Sequence, residues 1–579
     1  MPDRFRLPVA GQLLLTALLL LSSITSAGAQ TRQLLNYEAI HKPVTGARGM
    51  VVSQNQAASE VGAQVLRDGG NAVDAAVATA FVLAVTLPRA GNLGGDGFML
   101  VHLAAEGRTV AIDYRSTAPA AAVLDAYLDA DGKVDGATVG YKAPGVPGTV
   151  AGLALAHQQY GRLPWARLLQ PAIDLAAGGV VLSADEAFAL DWGKERLSTS
   201  AAGAAIFLHP DGSALRAGER LVQADLAWSL RQIASGGADA FYRGEIAQRL
   251  DAGMRKHGGL LRAEDLDAYR AIERTPLVGS YRGMDVVTMP PVSGGGLGIV
   301  AMLNLLENFD MTAHGAGSAD ALHYLAESMK LAWRDRARHA GDPGFVQVPL
   351  VGITSKAYAA ERAKSIAADR SAGQEDVEAG DPWPYESTET THIAVVDADG
   401  NAVSNTYTIG SDFGSGVVIE GTGFLLGNLI GNFSIAAQAE GRAQGTPLTA
   451  NQLQPGRRPV SSMAPTMLLR DGKPWLVTGS PGGNTIPGTI VQMIVGMVDF
   501  GQGVAEATSA PRVHQEMGGD GELRHERGIS PDTLKLLAGR GHLLESGETI
   551  GSSQSILIDA DGVHGAADPR RPGATAIAE

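Results

Sequence analysis

The chain has 579 residues, a length that suggests more than one hydrophobic core, and its 45% hydrophobic and 18% charged residues are the balance of a globular protein. Its formal net charge of -15 argues against nucleic acid and anionic membranes as partners. It contains no cysteine, which excludes thiol catalysis and cysteine-ligated metals, so stability must come from packing.

The first 29 residues have the pattern of a secretory signal. Arg4 and Arg6 precede an apolar run at 13–21, and small residues at 27–29 offer a signal-peptidase site. The run is shorter than the roughly 20 apolar residues that cross a bilayer. The sequence therefore predicts a signal peptide over residues 1–29 and a periplasmic or secreted protein, with an uncleaved anchor as the alternative.

Helices and short strands are predicted after this segment. Helical spacing occurs at 57–66 and 71–87, and the second run is small and apolar on every side, which predicts a deeply buried helix. Strands are predicted at 98–102, at 109–113 and, much later, at 421–428.

Two glycine-rich runs resemble nucleotide-binding loops only superficially. No Lys-Ser or Lys-Thr follows the run at 91–97, so the P-loop interpretation fails and close backbone packing is the better account. The run at 290–298 relaxes to a dinucleotide pattern, but no repeated βαβ units surround it. It is predicted to be a turn before a helix.

A polar stretch at 367–389 precedes a predicted β-hairpin. The stretch is acidic and contains Pro382 and Pro384, so it is predicted to be an exposed connecting segment. The runs 393–396 and 403–408 then flank an Asp-Gly turn, which is a hairpin signal.

Symmetric pairing about the hairpin turn, at Asp399, sets Thr408 opposite Thr390 at the open end. On spacing alone, an ordinary cross-strand pair of threonines is the simpler interpretation of these two hydroxyls.

Eight short motifs occur along the chain in a fixed order. They are Asn92–Met99, Asp113–Arg115, Pro144–Thr149, Thr390–His392, Thr406–Thr408, Arg458–Met463, Thr478–Gly483 and Asp568–Arg570. Together they resemble the γ-glutamyltransferase (γ-glutamyltranspeptidase, glutathione hydrolase) family of N-terminal nucleophile hydrolases. The resemblance implies an α+β fold, a four-layer αββα sandwich with helices outside and two sheets inside.

The resemblance also implies a self-processing enzyme. The precursor would cut its Glu389–Thr390 bond, leaving a large chain of residues 30–389 and a small chain of residues 390–579 that remain together as a heterodimer. The hydroxyl of Thr390 would be the nucleophile and its free α-amine the base. Thr408 would orient the hydroxyl, and the N–H groups of Gly482 and Gly483 would form the oxyanion hole. No cofactor or metal is implied.

The implied substrates are glutathione and related γ-glutamyl amides, small molecules whose acyl group passes through Thr390 to water or to an amino acid or peptide acceptor. Arg115, Ser461 and Ser462 would hold the carboxylate of the γ-glutamyl group, a task that suits a planar guanidinium fork.

Three positions depart from the family pattern. The family holds the substrate's α-ammonium with acceptors at positions that here read Gly410, Leu429 and Asn432. A buried ammonium that faces Asn432 instead of a carboxylate would miss a charge-assisted bond worth roughly 1.5–3 kcal/mol. The segment 433–459 also has alanine and glutamine where a lid aromatic is common, which leaves control of the acceptor open.

Two alternatives to a γ-glutamyl hydrolase or transferase stay open. An acyl group with a distal carboxylate and no amine, such as glutaryl, would find Arg115 and both serines intact, which predicts an amide acylase similar to the cephalosporin acylases. An uncleaved binding homologue is the other. A metal-dependent hydrolase finds no support, because the 13 histidines include no His-Glu-x-x-His spacing.

Overall fold

The computed structural model describes residues 40–373, 377, 389–446, 450–515 and 521–579, with the backbone alone at 389 and 390. The predicted signal peptide and most of the predicted connecting segment lie outside these residues. Within the described part of the chain, no helix combines the length and the apolar character needed to cross a membrane.

Strands and helices are interspersed along the described chain. In chain order the strands are Val44–Gly46 (β1), Met50–Ser53 (β2), Asp96–Leu103 (β3), Arg108–Asp113 (β4), Val180–Val181 (β5), Arg220–Leu221 (β6), Ile272–Arg274 (β7), Leu277–Tyr281 (β8), Met284–Thr288 (β9), Glu389–Val396 (β10), Ala402–Gly410 (β11), Thr466–Arg470 (β12), Lys473–Thr478 (β13), Val513–Gln515 (β14), Leu523–His525 (β15), Leu544–Ser546 (β16), Gln554–Asp559 (β17), Gly562–Ala567 (β18) and Thr575–Ala578 (β19).

The helices range from one turn to 21 residues. In chain order they are Gln56–Arg67 (α1), Ala72–Thr86 (α2), Thr149–Tyr160 (α3), Trp165–Gly178 (α4), Ala184–Trp192 (α5), Lys194–Leu197 (α6), Ala201–Phe207 (α7), Ala224–Tyr242 (α8), Glu245–His257 (α9), Ala263–Ala268 (α10), Gly294–Leu306 (α11), Met311–His314 (α12), Ala319–His339 (α13), Leu350–Ile353 (α14), Lys356–Ala363 (α15), Ile435–Gln444 (α16), Thr485–Val498 (α17), Val504–Ser509 (α18) and Pro531–Gly539 (α19).

Two seven-stranded sheets organise the described residues. The first has the order β1-β18-β17-β13-β12-β9-β8 and the second β19-β2-β10-β11-β3-β4-β7. Their inner faces are joined by Ser404 of β11, whose hydroxyl donates to the Thr478 carbonyl oxygen at 2.9 Å and accepts from the Thr466 N–H at 3.1 Å. The hairpin therefore lies directly against the strands that lead to the predicted oxyanion loop.

Alternating side chains divide the core into two clusters. Along β2 and β10, Val52 and Ala394 face a cluster that fills the space between the sheets and continues to α11, α13 and α17, while Val51 and Ile393 face a cluster shared with α1–α4, α8 and α9. Helices therefore cover the outer face of each sheet. The predicted four-layer αββα sandwich of the N-terminal nucleophile hydrolase type is confirmed.

Helix α2 is buried on all sides, as the sequence predicts. Every residue from Ala72 to Thr86 is buried. Asn71 begins the helix with a capping box, in which its side chain accepts from the Asp74 N–H and Asp74 accepts from the Asn71 N–H. Such a helix is stable only inside the protein, because it has no polar face to offer to water.

The predicted hairpin is confirmed, and the predicted strand at 421–428 is wrong. Gly421 and Gly423 have φ of +73° and +75°, which bends the chain into turns. Only isolated bridges remain, from Leu425 to Val418 and from Leu426 to Gly94. The apolar side chains at 424–426 point into the core without forming a strand.

Candidate active site

The N-terminal end of β10 lies in the middle of the second sheet, between β2 and β11. From Thr391↔Tyr407 to Val396↔Ala402 the register is the predicted one, but Glu389 pairs with Gly410. Two residues of β11, Thr408 and Ile409, therefore lie opposite position 390, so the predicted symmetric pairing does not extend to Thr390 and Thr408. Bulges re-aim side chains next to active sites. The predicted nucleophile thus lies opposite the bulge of β11.

Thr408 is held by backbone contacts on both sides. It pairs with Asp96 of β3, and its Oγ1 accepts from the Gly410 N–H at 2.9 Å. A Cβ on Gly95 would lie 2.0 Å from the Thr408 carbonyl oxygen, so this position requires glycine. The glycine-rich run at 91–97 is thus a packing surface for the end of β11, in agreement with the sequence prediction.

The Gly482-Gly483 loop connects β13 to the N-terminus of α17. The two glycines have φ of +120° and +56°, conformations that L-residues with a side chain rarely adopt. Among the described residues, neither N–H donates to a protein acceptor. The positive end of the α17 dipole lies immediately after the loop, which favours negative charge there.

Arg115 is fully buried just beyond the end of β4. Its Nη1 lies 2.8 Å from Asp96 Oδ1, and its Nη2 donates to Asn432 Oδ1 at 2.8 Å. Further bonds from the guanidinium reach the carbonyl oxygens of Pro459 and Val460. Arg115 therefore ties the β3–β4 hairpin to both later segments that carry the predicted substrate-binding residues.

Ser461 and Ser462 lie on a loop that rests on the second glycine-rich run. The Ser461 carbonyl oxygen accepts from the Gly294 N–H at 2.9 Å, and a Cβ on Gly295 would lie 2.1 Å from the Ser462 carbonyl oxygen. Ser293 caps α11, which confirms that this run is a turn before a helix. Its glycines let the serine loop approach the helix N-terminus.

One contact joins the serine loop to the oxyanion loop. The hydroxyl of Ser462 donates to Asn484 Oδ1 at 3.3 Å, and Asn484 directly follows Gly483. The serine motif and the residue that follows the glycine motif, 22 positions apart in the chain, are therefore neighbours in the fold, although sequence reasoning linked the two motifs only through the resemblance.

Asn428, which sequence reasoning missed, fills the space left by Gly410. Gly410 has φ of +99°, and a Cβ there would lie 1.8 Å from Asn428 Oδ1. The Asn428 oxygen accepts from the Ser411 N–H at 2.9 Å, and its nitrogen donates to the Thr138 carbonyl oxygen at 3.0 Å. Leu429 is buried and apolar. The sequence gives no local signal that the Asn428 side chain occupies the space at Gly410, because the two residues are not adjacent in the chain.

His392 is buried next to Gly479, which directly follows β13. Its Nδ1 lies 2.8 Å from Thr406 Oγ1, and a Cβ on Gly479 would lie 2.4 Å from its ring. Burial lowers the pKa of His392 to about 3, so the ring is neutral at physiological pH. The neutral ring therefore packs against Gly479, in the segment that leads to the Gly482-Gly483 loop.

A compact group of possible metal ligands lies elsewhere, on α13 and near the C-terminus. Donor atoms of His323, Glu327 and His542 lie within 4.8 Å of one another. Lys330 Nζ is 2.7 Å from Glu327 Oε1, and burial, with Lys330 adding positive charge, lowers the pKa of His542 to about 3. The ammonium already neutralises the carboxylate. These residues instead hold the chain at 367–372, since His323 bonds the Ala367 carbonyl oxygen.

Comparison with known proteins places the chain in a family. The model of the gamma-glutamyltranspeptidase family matches residues 58–578. The chain is 47% identical over 568 residues to the glutathione hydrolase proenzyme of Escherichia coli (strain K12), which covers 96% of this chain and 97% of the relative. It is 40% identical to the acylase ACY 1 proenzyme of Pseudomonas sp. (strain V22), covering 90% of this chain and 92% of the relative.

A solved structure of a related enzyme supports the same family assignment. The cephalosporin acylase from Bacillus halodurans superposes with a TM-score of 0.84 at 30% identity, covering 94% of this chain and 98% of that one. Sequence and fold are thus similar over nearly the whole length. The chain therefore belongs to the γ-glutamyltranspeptidase family and is an enzyme of the γ-glutamyltranspeptidase type.

Proposed function

We propose that the chain cleaves itself between Glu389 and Thr390 and then hydrolyses or transfers the γ-glutamyl group of glutathione and related small amides. The observation that carries the proposal is the Ser462–Asn484 contact, which brings the carboxylate-binding loop to the oxyanion loop. The names of the relatives, glutathione hydrolase proenzyme above all, support both the cleavage and the substrate class.

Self-cleavage starts with an attack by the Thr390 hydroxyl on the carbonyl carbon of Glu389. The C–N bond breaks, an ester forms on Oγ, and the nitrogen of Thr390 leaves as an amine that takes the hydroxyl proton. Water then hydrolyses the ester. The two chains, 30–389 and 390–579, remain one folded unit because β10 is hydrogen-bonded between β2 of the large chain and β11 of the small chain.

In turnover the Thr390 α-amine takes the hydroxyl proton as Oγ bonds the substrate's amide carbon. The electron pair of the carbonyl moves to its oxygen, which the N–H groups of Gly482 and Gly483 stabilise. When the pair returns, the C–N bond breaks and the ammonium protonates the leaving amine. Water or an acceptor amine releases the acyl group by the same steps in reverse. Thr408 orients Oγ throughout.

Recognition of the acyl group uses a cation and a set of neutral acceptors. Ser461 and Ser462 bind its distal carboxylate, and Arg115, whose guanidinium already bonds Asp96, Asn432 and the carbonyl oxygens of Pro459 and Val460, supplies the positive charge next to them. Asn428 Oδ1 makes one bond, to the Ser411 N–H, and an amide oxygen accepts two, so a lone pair remains for the substrate's α-ammonium. Asn428 thus takes over the role that the sequence assigns to position 410. This replacement supports γ-glutamyl amides as substrates.

The second candidate is an acylase for dicarboxylic acyl groups without an amine, such as glutaryl. Asn432 Oδ1 already accepts from Arg115, and Leu429 offers no acceptor. The α-ammonium would then meet no charged acceptor at positions 410, 429 and 432. The acylase and cephalosporin acylase relatives support this candidate.

The deciding experiment compares two matched anilides, γ-glutamyl and glutaryl, with purified mature protein. A higher kcat/KM for the γ-glutamyl compound supports the first candidate, and a higher value for the glutaryl compound supports the acylase. Thr390→Ala is expected to run as one band on a denaturing gel and to release no aniline. An active Thr390→Ala protein would falsify both candidates.

Thr391→Val is the matched control. Thr391 neighbours the nucleophile and is buried, but its hydroxyl has no hydrogen-bond partner in the described part of the chain. Loss of this hydroxyl should therefore leave cleavage and turnover within about twofold of the unmodified enzyme, in line with the small cost of removing an unpartnered polar atom. We also propose export with removal of residues 1–29, which N-terminal sequencing of the large chain tests.

A further inference from the structure

The two oxyanion donors belong to two successive peptide planes. In a planar peptide unit the carbonyl of one residue and the N–H of the next point in opposite directions. The Gly482 N–H is therefore aimed by whatever holds the Pro481 carbonyl, and the Gly483 N–H by whatever holds the Gly482 carbonyl. Both carbonyls have hydroxyl partners.

The first plane is held by Ser480. Its hydroxyl donates to the Pro481 carbonyl oxygen at 2.6 Å and accepts from the Ser552 N–H at 3.0 Å. The side chain is fully buried. Because the hydroxyl proton is committed to Pro481 and a lone pair to Ser552, the Pro481–Gly482 peptide has one favoured orientation.

The second plane is held by Thr485. Its Oγ1 donates to the Gly482 carbonyl oxygen at 2.8 Å, and its own N–H donates to the same oxygen at 3.0 Å. A Cβ on Gly482 would lie 2.4 Å from this hydroxyl, so the approach requires glycine. Two donors on one carbonyl also polarise the attached amide and strengthen its N–H as a donor.

We propose, on the basis of the proposed function, that the hydroxyls of Ser480 and Thr485 are positioning groups, each of which sets the direction of one oxyanion-hole N–H. Neither hydroxyl touches the substrate. Their contribution therefore grows as negative charge develops on the substrate oxygen, and it is small in the ground state.

A buried network of four charges anchors the Ser480 contact. Arg512 Nη1 donates to the Ile550 carbonyl oxygen at 2.9 Å, Glu526 Oε1 accepts from the Ile550 N–H at 2.7 Å, and Asp568 Oδ2 accepts from the Ser553 N–H at 2.9 Å. Arg570 joins both carboxylates.

The Asp568 carboxylate remains ionised inside the protein. Burial acts to raise the pKa of Asp568, but Arg512 and Arg570 outweigh it and hold that pKa below its ordinary value. The network fixes residues 550–553 and, through Ser552, the hydroxyl of Ser480. This gives the Asp568–Arg570 motif a role that its position far from Thr390 in the sequence does not indicate.

The test compares Ser480→Ala and Thr485→Val with Thr489→Val. Thr489 lies one turn further along α17 and is fully buried, and its hydroxyl has no hydrogen-bond partner among the described residues. Thr489→Val therefore makes the same chemical change as Thr485→Val without removing a contact. The readouts are kcat and KM for γ-glutamyl 4-nitroanilide, and inhibition by a boronic acid that forms a tetrahedral anion on Thr390. Free glutamate serves as the ground-state competitor, and burst amplitudes count active sites.

Each positioning variant should lower kcat by at least about tenfold, short of the 10²–10³ typical of a deleted donor. Boronate affinity should fall by the same factor, while KM and glutamate inhibition change less than twofold. Thr485→Ser keeps the hydroxyl and should recover most of the rate. Thr489→Val should behave as the unmodified enzyme.

Three results would overturn the assignment. If the Ser480 and Thr485 variants have the same kcat and boronate affinity as Thr489→Val, the two hydroxyls have no positioning role. Equal losses in boronate and glutamate binding indicate general distortion of the site. Failure of both variants to mature indicates a role in folding. An active Thr390→Ala enzyme, by contrast, refutes the proposed function before this comparison is made, so the two failures are distinguishable.

Discussion

Arg115 Nη2 lies 2.8 Å from Asn432 Oδ1, so the residue that departs from the family's ammonium-binding pattern is hydrogen-bonded to the cation that we propose for recognition of the substrate's carboxylate. The two side chains are buried. We therefore expect a change at 432 to alter recognition at both ends of the acyl group.

Asn432→Asp should move the enzyme toward γ-glutamyl substrates. The new carboxylate pairs with Arg115 and offers its second oxygen to an ammonium, and a charge-assisted bond is worth roughly 1.5–3 kcal/mol. We expect the ratio of kcat/KM for γ-glutamyl over glutaryl anilide to rise about tenfold or more. Gln444→Glu adds the same charge at the exposed end of α16 and should leave the ratio unchanged. An equal ratio in the two variants would show that Asn432 does not set specificity.

Asn428→Ala should have the opposite effect. It removes the oxygen that occupies the space beside Gly410, which is the acceptor that we assign to the α-ammonium. The kcat/KM for γ-glutamyl anilide should fall about tenfold more than that for glutaryl anilide, a factor that corresponds to one hydrogen bond to a charged group.

Gly410→Ala supplies an independent test of the same acceptor, because its methyl group must displace the Asn428 amide. Like Asn428→Ala, it should lower the ratio of kcat/KM for γ-glutamyl anilide over glutaryl anilide. Parallel losses for both substrates, in either variant, would indicate a packing role for Asn428 instead.

Asp96→Asn should destabilise the fold strongly. Asp96 is fully buried and accepts from Arg115 Nη1 and from the Ser116 N–H at 2.8 Å. Removing one partner of a buried pair leaves a buried charge and typically costs about 3–5 kcal/mol. Urea unfolding of the uncleaved Thr390→Ala chain measures this cost without dissociation of the two chains.

A double-mutant cycle separates the pair from its surroundings. Asp96→Asn combined with Arg115→Met, in the same Thr390→Ala chain, should cost less than the sum of the two single changes, because the double variant buries no unpaired charge. Additive costs would mean that the two side chains do not stabilise each other.

His392→Gln should reduce the acid sensitivity of the protein. The pKa of His392 is about 3 in the folded state, against an ordinary value of about 6.5, so between these values the unfolded state binds a proton that the folded state does not. Stability from this group is present above about pH 6.5 and is lost as pH falls toward 3, by about 1.4 kcal/mol per pH unit.

The measurement is the urea unfolding free energy of Thr390→Ala chains with and without His392→Gln, at pH 7.5 and pH 5. The chain that retains His392 should lose about 2 kcal/mol more over this interval, from the linkage of one proton. An identical loss in both chains would contradict a neutral, buried His392.

Local sequence patterns determined the regular elements around the site. The Asp-Gly turn and its β-prone flanks predicted the hairpin and its register from Thr391 to Val396. The apolar run at 71–87 predicted a buried helix, and the glycine run at 290–298 predicted a turn before a helix. These succeeded because each depends on residues close together in the chain. The strand predicted at 421–428 failed because glycines with positive φ break an otherwise β-prone run.

The identity of the family and the order of its motifs came from the sequence by itself. Tertiary structure alone decided which partners those residues have: Arg115 meets Asn432 across 317 positions, Asn428 occupies the space at Gly410, and Ser552 bonds Ser480 across 72. Periodicity and turn chemistry act over a few residues, whereas burial forces distant polar groups to find one another, because a buried donor or acceptor without a partner is costly.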